Sequence, residues 1–281
     1  MSSEKQEGGM MKHLFAVIII VLCIAVGYIL YYLVLGNPSN FKDGNPAKEP
    51  LEGSILGLVY KGGILVPWAI AMTLMLLTFS VERMITLMKA AGTGVMDNFV
   101  KSIQQNLHSD NVDAAIAECD KQQGAIGNVV RATLLKYKEH SSGFKAAADP
   151  KAPQGEVLTK EQRMLGIQKS LEEATALELP MLEKHLTIIA TIVSLGTLLG
   201  LMGTVLGMIK SFTALGAGGN LDPAALSIGI SEALINTFIG ITTSAIATIV
   251  YNYFTSRIDD MTYRIDEAGF SIVQTFNEKH N

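Results

Sequence analysis

The chain has 281 residues, 49% of them hydrophobic, and a formal net charge of −4. Mean hydropathy is positive, and charged residues are absent from three long stretches, 14–41, 62–81 and 186–209, while a fourth, 223–256, carries Glu232 alone. This patterning argues against an ordinary soluble domain. No basic block suggests a nucleic-acid partner, and Cys23 and Cys119 are too far apart in character to suggest a disulfide or a zinc site.

A helix needs roughly 20 largely apolar residues to cross a bilayer, and each of these stretches is long enough. Residues 1–13 form a short polar N-terminus. The first apolar run, 14–35, is longer than a signal-peptide core and ends in "YYLVLGNP", without a small-x-small cleavage pattern. Tyr28, Tyr31 and Tyr32 suit an aromatic belt at a membrane interface, so the run reads as a retained span. Residues 36–61 carry Pro38, Pro46 and Pro50 and read as an irregular loop closed by a short amphipathic turn. A second span is expected over 62–81.

Residues 82–185 are polar and mostly helical in pattern. Asp110 is a candidate N-cap, the Pro150 and Pro153 region a linker, and Thr159 with Gln162 a candidate capping box. From Lys160 the pattern runs into the third span, 186–209, with Pro180 expected to kink the helix rather than end it. The loop 210–225 is short and Gly-rich, so the third span and the fourth, 226–256, should be antiparallel neighbours. In the C-terminal segment 257–281, Ile258, Met261, Ile265, Ala268, Ile272 and Phe276 recur at bundle spacing. The fold class expected is an all-α integral membrane protein with four transmembrane helices, the last two extending as long helices into a helical cytoplasmic domain.

Four spans put both termini on one side. With the termini in the cytoplasm, Lys5, Lys12, Arg83, Lys89, Lys101, Lys169, Lys184, Arg257 and Arg264 lie inside, against Lys42, Lys48, Lys61 and Lys210 outside. That bias selects this orientation.

On a helical wheel the fourth span has two faces. One half-turn holds Glu232, Ala233, Asn236, Thr237, Gly240, Thr243, Ser244, Ala247, Thr248 and Tyr251. The other holds Leu234, Ile235, Phe238, Ile239, Ile241, Ile246 and Ile249. The bulky half suits lipid or an apolar neighbour; the small, hydroxyl-rich half suits close packing or a wet lumen. The third span has Gly196/Gly200 and Gly203/Gly207 as GxxxG pairs, plus hydroxyls that include Thr204, which is first of all a packing signal. Gly240 is the matching small residue on the fourth span.

Glu232 lies roughly 15 Å along the helix from Asp222, so mid-membrane depth is expected. A charge there is expensive, burial favours the protonated form, and such a residue is a functional-site candidate by default. Its alternative role is that of a protonated glutamate bonding helices together. The other three charge-free runs contain no Lys, Arg, Asp or second Glu, so a proton route would need groups from another subunit. Nucleophile–base pairs, metal clusters and phosphate loops are not evident, and neither an enzyme nor a bound cofactor is expected.

The stretches "GTVLGM" in the third span and "SEALINT" followed by "IG" in the fourth resemble the MotA/TolQ/ExbB proton-channel family, within it the ExbB/TolQ branch. The resemblance implies an inner-membrane homo-oligomer, typically a pentamer, in membrane lipid around the single spans of two ExbD-like subunits. Protons would be the coupling ion, and the work would be done on a TonB-like protein that opens outer-membrane transporters. It also implies pore-lining roles for Glu232, Thr204 and Thr237; Asn236 and Thr243 are added from the wheel. A TolQ-like envelope-maintenance motor, a MotA-like stator and a passive membrane scaffold remain alternatives. Better-known relatives have three spans, so the helix over 14–35 is a departure, expected at the periphery.

Overall fold

A computed structural model describes residues 2–147, 158–216 and 223–279. The predicted Pro150/Pro153 linker and most of the tight third-to-fourth-span connection lie outside the described residues. The chain divides into two compact units, Met1–Val81 with Thr187–Asn252, and Glu82–Leu186 with Tyr253–Asn281. Among the described residues the secondary structure is helical, with one isolated bridge pairing Phe41 and Pro50. Four helices are long and apolar enough to span a bilayer, which makes this an all-α, multi-pass membrane protein.

In the first unit, α1 (Ser2–Ile29) continues as a π-helical segment, Leu30–Leu35. Cys23 and Tyr31 are buried, whereas Val17, Ile18, Val21 and Leu22 are exposed. From Ala16 onward, one narrow stripe is therefore packed and much of the remaining surface is exposed. Gly27 lies on that stripe, where an added Cβ would come within 3.2 Å of Ala71 on α3 (Val66–Ala91). The expected aromatic belt becomes a specific cluster. Tyr31 stacks on Tyr60 with ring centroids 4.6 Å apart and donates its hydroxyl to the Tyr60 carbonyl at 3.1 Å. The loop that follows ends in a short helix, α2 (Ile55–Tyr60), capped by Ser54.

α8 (Leu186–Gly216) and the N-terminal part of α9 (Pro223–Lys279) complete this unit. Gly207 lies beside Gly229 and Ala233, Gly203 beside Asn236, Gly200 beside Thr237, and Gly196 beside Gly240 and Ser244. The falling numbers on α8 against rising numbers on α9 make the two helices antiparallel. At Gly240 an added Cβ would come within 2.5 Å of the Gly196 carbonyl oxygen and 2.7 Å of Gly200 Cα, so backbone packs on backbone.

The second unit is a bundle of α4 (Met96–His108), α5 (Val112–Gln122), α6 (Gly124–Ala147), α7 (Lys160–Glu183) and the C-terminal part of α9. Phe99, Val100, Ile103 and Leu107 of α4 are buried, as periodicity predicts for an amphipathic helix. So is the α9 seam from Ile258 to Phe276, whose last ring meets Tyr137 edge-on at 5.4 Å. The capping box forms: Thr159 Oγ1 accepts from the Gln162 amide at 3.2 Å, and Gln162 Oε1 accepts from the Thr159 amide at 2.8 Å. The cap of α5 is Asn111 rather than Asp110. Asn111 Oδ1 accepts from the Ala114 amide, while Asp110 takes a left-handed φ of 57° just before it.

Pro180 stays inside α7, as expected, but α7 and α8 are not one continuous helix. The break falls at Lys184–His185, with His185 at φ 64°. The buried guanidinium of Arg83 donates to the Met181 and Leu182 carbonyls at 3.4 and 3.2 Å, satisfying acceptors that a helix end leaves open. Glu82 holds Arg83 through Oε1 at 2.6 Å and His185 Nδ1 through Oε2 at 3.0 Å. A cation bonded to helix-terminal carbonyls stabilises a stop that hydropathy alone does not show.

Candidate functional site: a buried carboxylate between α8 and α9

α9 carries Glu232 on its small-residue face, and the side chain is only 7% exposed. Two elements close on it. From α8, Lys210 Nζ donates to Oε1 at 2.6 Å and to Oε2 at 2.7 Å. From the entry to α3, Gly63 adopts φ 78° and presents bare backbone, because any Cβ there would collide with the carboxylate.

This arrangement revises two expectations. Lys210 is not a loop residue, because α8 runs on to Gly216 and carries the lysine on its helical surface. Glu232 therefore lies level with the end of the charge-free run of α8, not with its middle. The depth expected from Asp222 placed the end of the apolar layer too early on α9. An antiparallel pair sets depth by contact, and the contact is with Lys210. The one signal in the sequence was that Lys210 and Glu232 lie on either side of the connection between two antiparallel helices.

The other candidate residues are distributed along the same interface. Asn236 is buried; its Nδ2 donates to the Gly62 carbonyl at 2.6 Å and to the Glu232 carbonyl at 3.0 Å. Its Oδ1 is buried with no hydrogen-bond partner among the described residues. Thr237 donates across to the Gly200 carbonyl at 3.1 Å. Thr204, half-buried, bonds back to Leu201 of its own helix at 2.6 Å. Thr243 meets Thr73 of α3 at 2.9 Å, away from Glu232. Within a single chain, then, the hydroxyl-rich half of α9 is occupied by close packing on α8 and α3. The bulky half, including Leu234, Phe238, Ile241 and Ile249, is exposed. Thr73, Gly63 and Lys210 belong to this constellation and were not singled out by motif.

Long apolar helices, a backbone-on-backbone helix pair and one buried carboxylate–lysine contact define a polytopic membrane protein with an ionisable group set into its helix packing. Residues 129–267 match the MotA/TolQ/ExbB proton channel family. The match includes Thr204, Lys210, Glu232 and Thr237. A biopolymer transport protein ExbB homolog from Methanothermobacter thermautotrophicus is 37% identical over 100 residues, which is 36% of this chain and 35% of that one. An ExbB-like protein from Synechocystis is 42% identical over 90 residues, 31% of this chain and 42% of the relative. The Tol-Pal system protein TolQ of Pseudomonas aeruginosa is 37% identical over 94 residues, 34% and 41% of the two chains. The chain thus spans between about a third and two fifths of the length of these relatives.

Proposed function

We propose that this protein is the channel-forming subunit of a proton-motive-force-driven motor of ExbB type in the inner membrane. It works with single-span ExbD-like partners and energises a TonB-like protein for transport across the outer membrane. The observation that carries the reading is Glu232: a buried carboxylate on the small-residue face of a helix that matches a proton channel family. An ionisable group in such a position is costly and is retained for function. The assembly is a homo-oligomer, a pentamer in this reading, enclosing two partner helices. Exposed apolar side chains on α8 and α9, such as Leu201, Val205 and Phe238, support contacts with other subunits or lipid.

Both termini face the cytoplasm in this reading, and the helical region 82–185 lies there too. Each elementary charge crossing the membrane releases about 2.3 kcal/mol per 100 mV, enough to bias a helix shift or rotation when protonation is coupled to it. Glu232 sets the electric field around the partner's membrane carboxylate. Thr204 and Thr237 keep the path hydrated. Asn236, with its unpartnered buried Oδ1, offers an acceptor beside it.

The test is uptake of a TonB-dependent cargo in cells carrying Glu232→Gln, with expression and partner co-purification checked in the same membranes. Uptake should collapse while the complex still assembles. Unchanged uptake would return Glu232 to a packing role. The TolQ-type relative supports a second reading, envelope maintenance. In that case Glu232→Gln leaves cargo uptake intact and sensitises cells to detergent.

A further inference from the structure

The contact between Lys210 and Glu232 goes beyond the family match, and its geometry says what form the carboxyl group takes. An ammonium can only donate hydrogen bonds. Here one nitrogen donates to both carboxyl oxygens, at 2.6 and 2.7 Å. A protonated acid has a hydroxyl on one oxygen and cannot readily accept from the same donor at both. The near-equal distances are those of a charge-assisted ion pair. Lys210 is 56% exposed on its side chain while Glu232 is 7% exposed, so the cation lies at the mouth and the anion behind it.

No second cation approaches Glu232 among the described residues. The groups facing it are Lys210 from α8 and the Gly62–Gly63 backbone before α3, with uncharged Asn236 on its own helix; Lys61, next to Gly62, donates instead to the Pro46 and Ala47 carbonyls. Gly63 closes one side without offering a donor side chain. A buried carboxylate that lost Lys210 would have no ion-pair partner among the described residues, and an unpaired buried charge is costly.

We infer that Lys210 is a positioning residue that keeps Glu232 in the charged form, so that Glu232 acts as a stationary anion beside the proton path and does not carry the proton itself. The ion pair stands on geometry alone, whereas its place in a proton path rests on the motor reading above. A corollary is that a partner's membrane carboxylate reaching this level meets a pair that is already neutral overall, with the ammonium on the accessible side. It is drawn toward Lys210 rather than repelled by Glu232.

Dicyclohexylcarbodiimide tests the inference without relying on transport. The protonated acid adds across the carbodiimide and rearranges to a stable N-acylurea, whereas a paired carboxylate does not react. Membranes from cells producing the full chain with its natural partners are treated, and the Glu232 peptide is read by mass spectrometry. Wild type and Lys210→Arg should remain largely unlabelled. Lys210→Met should show a several-fold rise in labelling. Equal labelling of wild type and Lys210→Met would overturn the ion pair. In the uptake assay Lys210→Met should lose activity and Lys210→Arg retain it. Raised labelling with unchanged uptake would overturn the stationary-anion role while leaving the ion pair standing. If wild-type uptake does not depend on this protein at all, the motor reading fails, and the labelling result is unaffected.

Discussion

The α8–α9 pair and the helical bundle of the second unit are both helix-on-helix structures, yet they are held together differently. In the bundle, Ile103, Leu107, Ile126, Leu134, Tyr137, Ile272 and Phe276 are fully buried, and charged pairs such as Arg131–Asp120 and Lys138–Asp113 decorate the outside. Between α8 and α9 the contacts are made by glycines and hydroxyls, and Leu201, Val205, Phe238 and Ile249 point outward. Water explains the first pattern, since removing apolar surface from it is the main stabilising term. Lipid explains the second: bare leucines cost nothing in hydrocarbon, so helices associate through close backbone approach and hydrogen bonds. The inversion of what is bulky and what is small marks which unit meets lipid.

The strongest way to break this comparison is in the bundle. Phe276→Ala removes a fully buried ring that packs on Tyr137 and should cost about 3–5 kcal/mol. Thermal unfolding of the detergent-solubilised full chain, followed by proteolysis within 82–186, reads the loss. Undiminished protection there would mean that the seam from Ile258 to Phe276 is not a core.

In the membrane pair the corresponding weak point is a residue gained rather than lost. Gly240→Val forces a side chain into the Gly196 and Gly200 backbone and should cost about 1–3 kcal/mol, or more if the helices cannot separate. Gly216→Val is the control, because an added Cβ there meets nothing within 4 Å. A lower unfolding temperature for the first and not the second would locate the effect at the helix contact. Equal behaviour would show that the close approach is dispensable.

The smallest effect sharpens the role of the hydroxyls. Thr243→Val, alone and combined with Thr73→Val, removes the 2.9 Å contact between α9 and α3 at nearly constant volume. Hydrogen bonds between membrane helices average about 0.6 kcal/mol in double-mutant cycles, and a coupling of that order is expected here. A coupling of zero would leave Thr243 as a packing residue, and loss of transport without loss of stability would return it to the proton path.

Much of the candidate site could be read along the chain. Glu232, Asn236, Thr237 and Gly240 share a face because helical periodicity is a local property. The GxxxG pairs on α8 announced close contact for the same reason. Gly63 and Thr73 carried no such signal, since they reach the site only through the packing of α3 on α9. The break at Lys184–His185 was equally silent: the carbonyls it leaves open are met by Arg83, about a hundred residues earlier in the chain.

What the sequence determined by itself was the set of apolar helices, the two faces of α9, the capping box at Thr159 and the family resemblance, all of which depend on neighbours within a few turns. Tertiary structure alone decided that Glu232 has a lysine, that it lies level with the end of the charge-free run of α8, and that most of the hydroxyls on its face are taken up by packing. Those are distances between segments far apart in the chain. The register of one helix against another, set by glycine contacts, fixes them.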